Sequence, residues 1–100
     1  MKTILSIALI TATLSASAIA SEELAKAKNC LTCHSAERKI VGPSYKEITA
    51  KRGAEKGAEA ALAAKIKNGS KGEWGQVPMP PNAVSDAEAA TLAKWVLTHK

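Results

Sequence analysis

The densest set of chemically versatile side chains in the sequence is the stretch Cys30-Leu31-Thr32-Cys33-His34. Thiols and imidazoles can exchange disulfides, ligate a metal or bond to an unsaturated cofactor, and their spacing discriminates among these. On a helical turn Cys30 and Cys33 share a face and His34 follows Cys30 by four residues. Two thiols and one ring nitrogen can therefore approach a single flat group together. C-x-x-C-H is the spacing of covalent haem attachment, in which the thiols reach the two vinyl groups and the imidazole rises beneath the iron. Three other readings compete. A thioredoxin-like redox pair needs a βαβ framework, of which the sequence gives no sign. Zinc would need Cys30, Cys33, His34 and His99, the only Cys and His present, and adjacent Cys33 and His34 fit one tetrahedral site poorly. A disulfide between Cys30 and Cys33 would close a loop too short to constrain much of the chain.

An iron bound by His34 has a second axial position. Apart from Met1, Met79 is the only methionine. It stands in Val77-Pro78-Met79-Pro80-Pro81, where the fixed φ angles of three prolines lower the entropy lost in presenting a thioether. An isolated Met is ordinarily a gap-filling core residue, and the proline cage argues against that here. The rival ligand is His99, one residue from the chain end, where fraying is expected. His34 and Met79 are the expected axial pair.

The rest of the chain supplies the scaffold for these groups. It has 100 residues, 14 Lys+Arg against 9 Asp+Glu and no Phe, which limits it to one small domain. Lys2, the apolar run Ile4 to Leu14 and the small-residue exit Ala18-Ile19-Ala20 have the three parts of a secretory signal. Residues 1-20 are therefore expected to be cleaved, leaving 21-100 as the working domain. The apolar run is shorter than the ~20 residues a membrane span needs, so no stable membrane insertion is expected. After Ala20 only 16 residues are large and apolar, while Ala supplies 15 more. A core so thin needs a filler such as a bound metal or a large apolar cofactor.

No alternating strand pattern persists beyond residue 20, and the domain reads as helices joined by loops. The first helix is expected from Ser21 to about Cys33. Pro43 breaks the chain, and Ser44-Tyr45-Lys46-Glu47 has capping-box spacing for a short second helix ending near Gly53. The third runs from about Gly57 to the stop Asn68-Gly69. A long loop carrying Met79 follows, and Ser85-Asp86-Ala87-Glu88 opens the last helix.

The segments Val41-Gly42-Pro43-Ser44-Tyr45, Ile66-Lys67-Asn68-Gly69-Ser70, Trp74-Gly75, Val77-Pro78-Met79-Pro80-Pro81-Asn82 and Leu92-Ala93-Lys94-Trp95-Val96-Leu97, taken with the C-x-x-C-H stretch, are jointly very specific. Over nearly all of residues 24 to 99 the chain resembles the small bacterial class I c-type cytochromes of the cytochrome c-551 type. The resemblance implies an all-α fold, a small cytochrome c fold of about four helices packed around one covalently bound haem c. By the same resemblance the Pro43 carbonyl accepts a hydrogen bond from the far nitrogen of His34, Trp74 points its indole N–H at a haem propionate, and Asn82 lies near the Met79 sulfur. Lys65 matches a position that is often basic and could help hold a propionate. The resemblance breaks at Ala25 and near Arg52, where an aromatic residue is usual, and this is expected to thin the packing beside the haem.

With both axial positions filled by protein atoms and no paired-carboxylate or nucleophile constellation elsewhere, the expected function is a periplasmic one-electron carrier rather than an enzyme. The alternative is a ligand-binding or peroxidatic haem protein in which Met79 dissociates. A nitrite reductase, a terminal oxidase or a cytochrome c peroxidase would suit as a redox partner, met by a monomer. Basic charge alone could signal nucleic acid, but an exported chain without an aromatic-basic stacking surface does not fit that class. After Ala20, 13 Lys+Arg remain, of which 11 fall between Lys26 and Lys71, in the elements flanking the attachment site. A positive rim including Lys28 and Lys39 points to an acidic docking surface on the partner.

Overall fold

Each helix starts or stops where the local chemistry dictates. A computed structural model describes residues 13–100, with side chains from residue 18 onward. Residues 1–12 of the expected export signal lie outside that range. Among the described residues are five helices and no strand: α1 (Thr13–Ala27), α2 (Cys30–Cys33), α3 (Tyr45–Arg52), α4 (Ala58–Asn68) and α5 (Asp86–Val96).

The expected first helix is broken in two. Asn29 adopts φ 62°, a left-handed conformation that Asn tolerates better than most residues. The chain therefore leaves the axis of α1 and restarts as the single turn Cys30–Cys33, which carries both thiols. This separation lets the attachment turn take its own direction, independent of the helix that packs in the core.

The caps of α3 and α5 come from serines. Ser44 Oγ accepts from the Glu47 backbone N–H at 3.0 Å. At α5 the box closes in both directions: Ser85 Oγ accepts from Glu88 N–H at 3.0 Å, and the Glu88 carboxylate accepts from Ser85 N–H at 2.9 Å. That backbone N–H bond holds the Glu88 carboxyl below its usual range. Lys67 at the end of α4 pairs with Asp86 at the start of α5, joining the two helices at the surface.

The core forms two clusters. Ala25, Val84, Ala89 and Leu92 bring α1 against α5, with Ala63 and Ile66 of α4 packed on them. Tyr45, Ile48 and Val96 join α3 to α5, with Leu31, Leu62 and Trp74 around them. Thr49 Oγ1 also donates to the Val96 carbonyl at 2.9 Å, so the α3–α5 contact is polar as well as apolar. Ala25 is fully buried where α1 packs against α5. Arg52, the other departure, is held by two carboxylates, those of Glu55 and Glu73.

Candidate functional site

The helices leave a concave space between them. A cleft is bounded by α2, α3, α4, α5 and the loop between α4 and α5, and Cys30, Cys33, His34, Pro43, Trp74 and Met79 all line it. Its other walls are mostly apolar, including Ile48, Leu62, Ile66, Val77, Leu92 and Val96. Both cysteines are free thiols, not a disulfide. Burial pushes the Cys30 thiol above its usual range. Among the described residues no cluster of three or more His, Cys, Asp or Glu is placed to hold a metal ion, which removes the zinc reading.

His34 is fixed from three directions. Its backbone N–H closes the attachment turn on the Cys30 carbonyl at 2.9 Å. Its Nδ1 lies 2.7 Å from the Pro43 carbonyl oxygen, which can only accept, so Nδ1 carries the proton and Nε2 keeps its lone pair free. The Tyr45 ring stacks on the imidazole with centroids 5.5 Å apart. Gly42 completes the seat. A Cβ on Gly42 would stand 2.6 Å from His34 Cε1, so the ring lies where any side chain at 42 would be. Gly42→Ala is therefore expected to destabilise the protein by about 1–3 kcal/mol, the usual range for overpacking, and to loosen the His34–Pro43 bond. Denaturant unfolding checks the first effect, and the His34 ring-proton NMR shift checks the second.

Met79 is held by its backbone rather than by prolines alone. Ser70 N–H donates to the Met79 carbonyl at 3.0 Å, and Met79 N–H donates to the Ser70 carbonyl at 2.7 Å. This isolated antiparallel pair clasps the loop at its two ends. Gly69 permits it: at φ +86° it turns the chain out of α4, and a Cβ there would meet the Met79 carbonyl at 2.7 Å. Neither the clasp nor the seat at Gly42 follows from sequence patterns, because each depends on residues brought together by the fold.

Asn82 and the rival ligand His99 make their bonds outside the cleft. Asn82 does not line the cleft; its side-chain amide donates to the Ile66 carbonyl at 2.9 Å, tying the end of the loop to α4. His99 does not line the cleft either. The fraying expected at the chain end is absent, because His99 Nδ1 lies 3.0 and 2.9 Å from the Trp95 and Val96 carbonyls, and its ring packs 4.7 Å from Trp95 and 5.1 Å from Tyr45. His99 thus closes α5 behind the cleft.

Charge gathers on one wall. Trp74 lines the cleft with the Lys51 ammonium 4.4 Å above its ring. Lys65 also lines it and pairs with Glu73, whose other carboxylate oxygen receives Arg52. Partial burial, and then the positive charge of Arg52, hold the Lys65 ammonium below its usual range. No motif marks Glu73, which the sequence reading passed over.

The residues fit a covalently held haem: two free thiols one turn apart, an imidazole with its outward nitrogen unprotonated, a thioether and apolar walls all border the same cleft. The Cytochrome c family model matches residues 18–100. Over 79 residues the chain is 62% identical to cytochrome c-551 of Azotobacter vinelandii, covering 79% of this chain and 96% of the relative. It is 61% identical over 79 residues to cytochrome c-551 of Pseudomonas aeruginosa, covering 79% and 76%. The crystal structure of wild-type Nitrosomonas europaea cytochrome c552 superposes with a TM-score of 0.77 at 55% identity, covering 79% of this chain and 99% of that one.

Proposed function

The chain belongs to the cytochrome c family, as a small electron carrier of the c-551 type with covalently bound haem c, and from that premise we propose that His34 and Met79 ligate its iron and that it shuttles electrons between periplasmic redox proteins. The observation that carries this reading is that His34 and Met79 border the same apolar cleft, each held in place by backbone hydrogen bonds. When bound, the group accepts and releases one electron between Fe(III) and Fe(II).

The protein's own residues do the rest. Cys30 and Cys33 anchor the cofactor as thioethers. Pro43 keeps the His34 proton on Nδ1, so Nε2 would be the nitrogen left to hold the iron, in one tautomer and with raised basicity. Met79 offers a soft thioether, which favours the reduced state and raises the potential. The apolar walls exclude water, and the Ser70 clasp holds the thioether in place through both oxidation states. Trp74, on the cleft wall, is placed to offer its indole N–H to a propionate.

Delivery to the periplasm rests on residues 1-20 as a cleaved export signal. Side chains 18–20 are exposed and Ser21 is buried, so processing after Ala20 would leave the packed domain intact. Among the described residues no helix is long and apolar enough to cross a membrane.

A nitrite reductase, terminal oxidase or cytochrome c peroxidase with an acidic docking surface is the proposed partner. Lys71 is exposed at the cleft mouth, and Lys39 is exposed beside the attachment turn. Lys28 is less available, since its ammonium donates to the Ala83 carbonyl at 3.1 Å. Stopped-flow electron transfer to such a partner is expected to be faster by ~10-fold or more at low salt than at high salt. Lys39→Glu is expected to flatten that dependence. Rates that stay flat or rise with salt in the native protein would mean an apolar or basic docking surface.

A further inference from the structure

Among the described residues Glu73 is the sole carboxylate lining the cleft, and its surroundings are strongly positive. Its two oxygens take cations from different helices, Arg52 from the last turn of α3 and Lys65 from α4. Lys71 lines the same wall, and Lys51 stands over the neighbouring ring of Trp74. The Glu73 side chain is only 13% exposed, against 30% for Arg52 and 36% for Lys65, so the anion is the least solvated member of the group. Arg52 is further anchored by Glu55 at 3.1 Å. A partly buried carboxylate between two cations is coupled to them more strongly than an exposed surface pair, because water screens it less.

We propose that Glu73 is a positioning residue for electron transfer: it fixes Lys65 on the cleft wall, ties α3, α4 and the Met79-bearing loop together, and lowers the reduction potential by placing a negative charge on that wall. The inference rests on the electron-carrier reading of the cleft. The electrostatic sign is simple. Oxidation adds a positive charge in the cleft, which a nearby anion stabilises and a nearby cation opposes. Removing the Glu73 charge must raise the potential, and removing the Arg52 charge must lower it. Because Lys65 has Glu73 as its partner, loss of the carboxylate also frees the Lys65 ammonium to face the cleft, adding to the rise.

Three variants of the holoprotein, Glu73→Gln, Arg52→Gln and the double replacement, separate this role from simple surface pairing. Redox titration against an unaltered mediator is expected to show the equilibrium moving toward the reduced protein by about threefold or more in Glu73→Gln, as one charge does through a partly solvated medium. Arg52→Gln is expected to move it the opposite way, and the double variant to return close to the native value. The visible spectra should stay native in all three, which reports that the iron ligands are unchanged. Potentials that do not move in Glu73→Gln, with a native spectrum, would overturn the proposal, even if thermal stability fell. An absent or irreversible redox couple in the native protein would overturn the electron-carrier reading instead, so the two failures are distinguishable. If Glu73→Gln does not accumulate, Glu73→Asp serves as the second probe. Its shorter side chain keeps the charge but cannot span Arg52 and Lys65 together, so the proposal expects the equilibrium to move toward the reduced protein by less than about threefold, from the loosened Lys65 alone, with weakened tying of the loop read as faster amide exchange at Trp74. A shift of about threefold or more in Glu73→Asp, or one toward the oxidised protein, would overturn it.

Discussion

Met79→Ala is expected to abolish the sulfur-to-iron charge-transfer band of the oxidised protein, lower its reduction potential, and let cyanide or carbon monoxide bind where the native protein resists them. The potential should fall by a sizeable part of the ~0.8 V range over which axial ligands tune haems. The thioether stabilises the reduced state, and its loss leaves no other ligand in place. His99 cannot step in readily, since its Nδ1 lies within hydrogen-bonding distance of the Trp95 and Val96 carbonyls and its ring packs behind Tyr45. The same experiment decides the ligand-binding alternative. If the native protein already takes up cyanide or carbon monoxide as fast as the variant, the Met79 bond is labile and the carrier reading gives way to a ligand-binding one. The double clasp between Ser70 and Met79 argues that it is not labile.

The second large effect is on folding. Removing both attachment thiols in Cys30→Ala/Cys33→Ala is expected to yield a chain with the mass of the bare polypeptide and little helical circular dichroism, whereas the native protein carries the mass of one haem under denaturing conditions. The reason lies in the core. Of the nine buried hydrophobic residues among those described, four are alanine, namely Ala25, Ala58, Ala89 and Ala93. Alanines bury little area, and the cleft sits between the two small clusters where a larger protein would place its side chains. A cofactor that binds only the folded chain contributes its binding free energy to folding. A native protein whose denatured mass equals the bare chain would refute covalent attachment.

The chemistry of the site was legible because it depends on short spacings. Cys30, Cys33 and His34 are read from five residues, and the two serine caps from four each. Ala89, Leu92 and Val96 show their buried face in the sequence because a helix repeats at a fixed period. What escaped are contacts between residues far apart in the chain. The left-handed turn at Asn29 splits the first helix at a residue that tolerates that conformation, with no glycine or proline to mark the break. The bond from the Asn82 amide to the Ile66 carbonyl, sixteen residues earlier, has no local pattern to announce it. His99 was judged by its distance from the chain end, and end position says nothing about the two carbonyls and two rings that receive it. Glu73 carried no pattern, and its importance emerges only once Arg52 and Lys65 converge on it.

The clasp between Ser70 and Met79 makes the segment between them a ring closed at its base, with Gly69 turning into it and Pro80 leading away. In such a ring the anchor and the tip are mechanically separate. The exposed Gln76 can change in sequence without altering the register in which Met79 is presented, because that register is set at the base, whereas Gly72 at φ +80° and Gly75 at φ +122° hold conformations that other residues rarely adopt. The outside of the segment can therefore vary at Gln76 while Met79 stays still, which lets a small fold change part of its surface without moving the residue it presents to the interior.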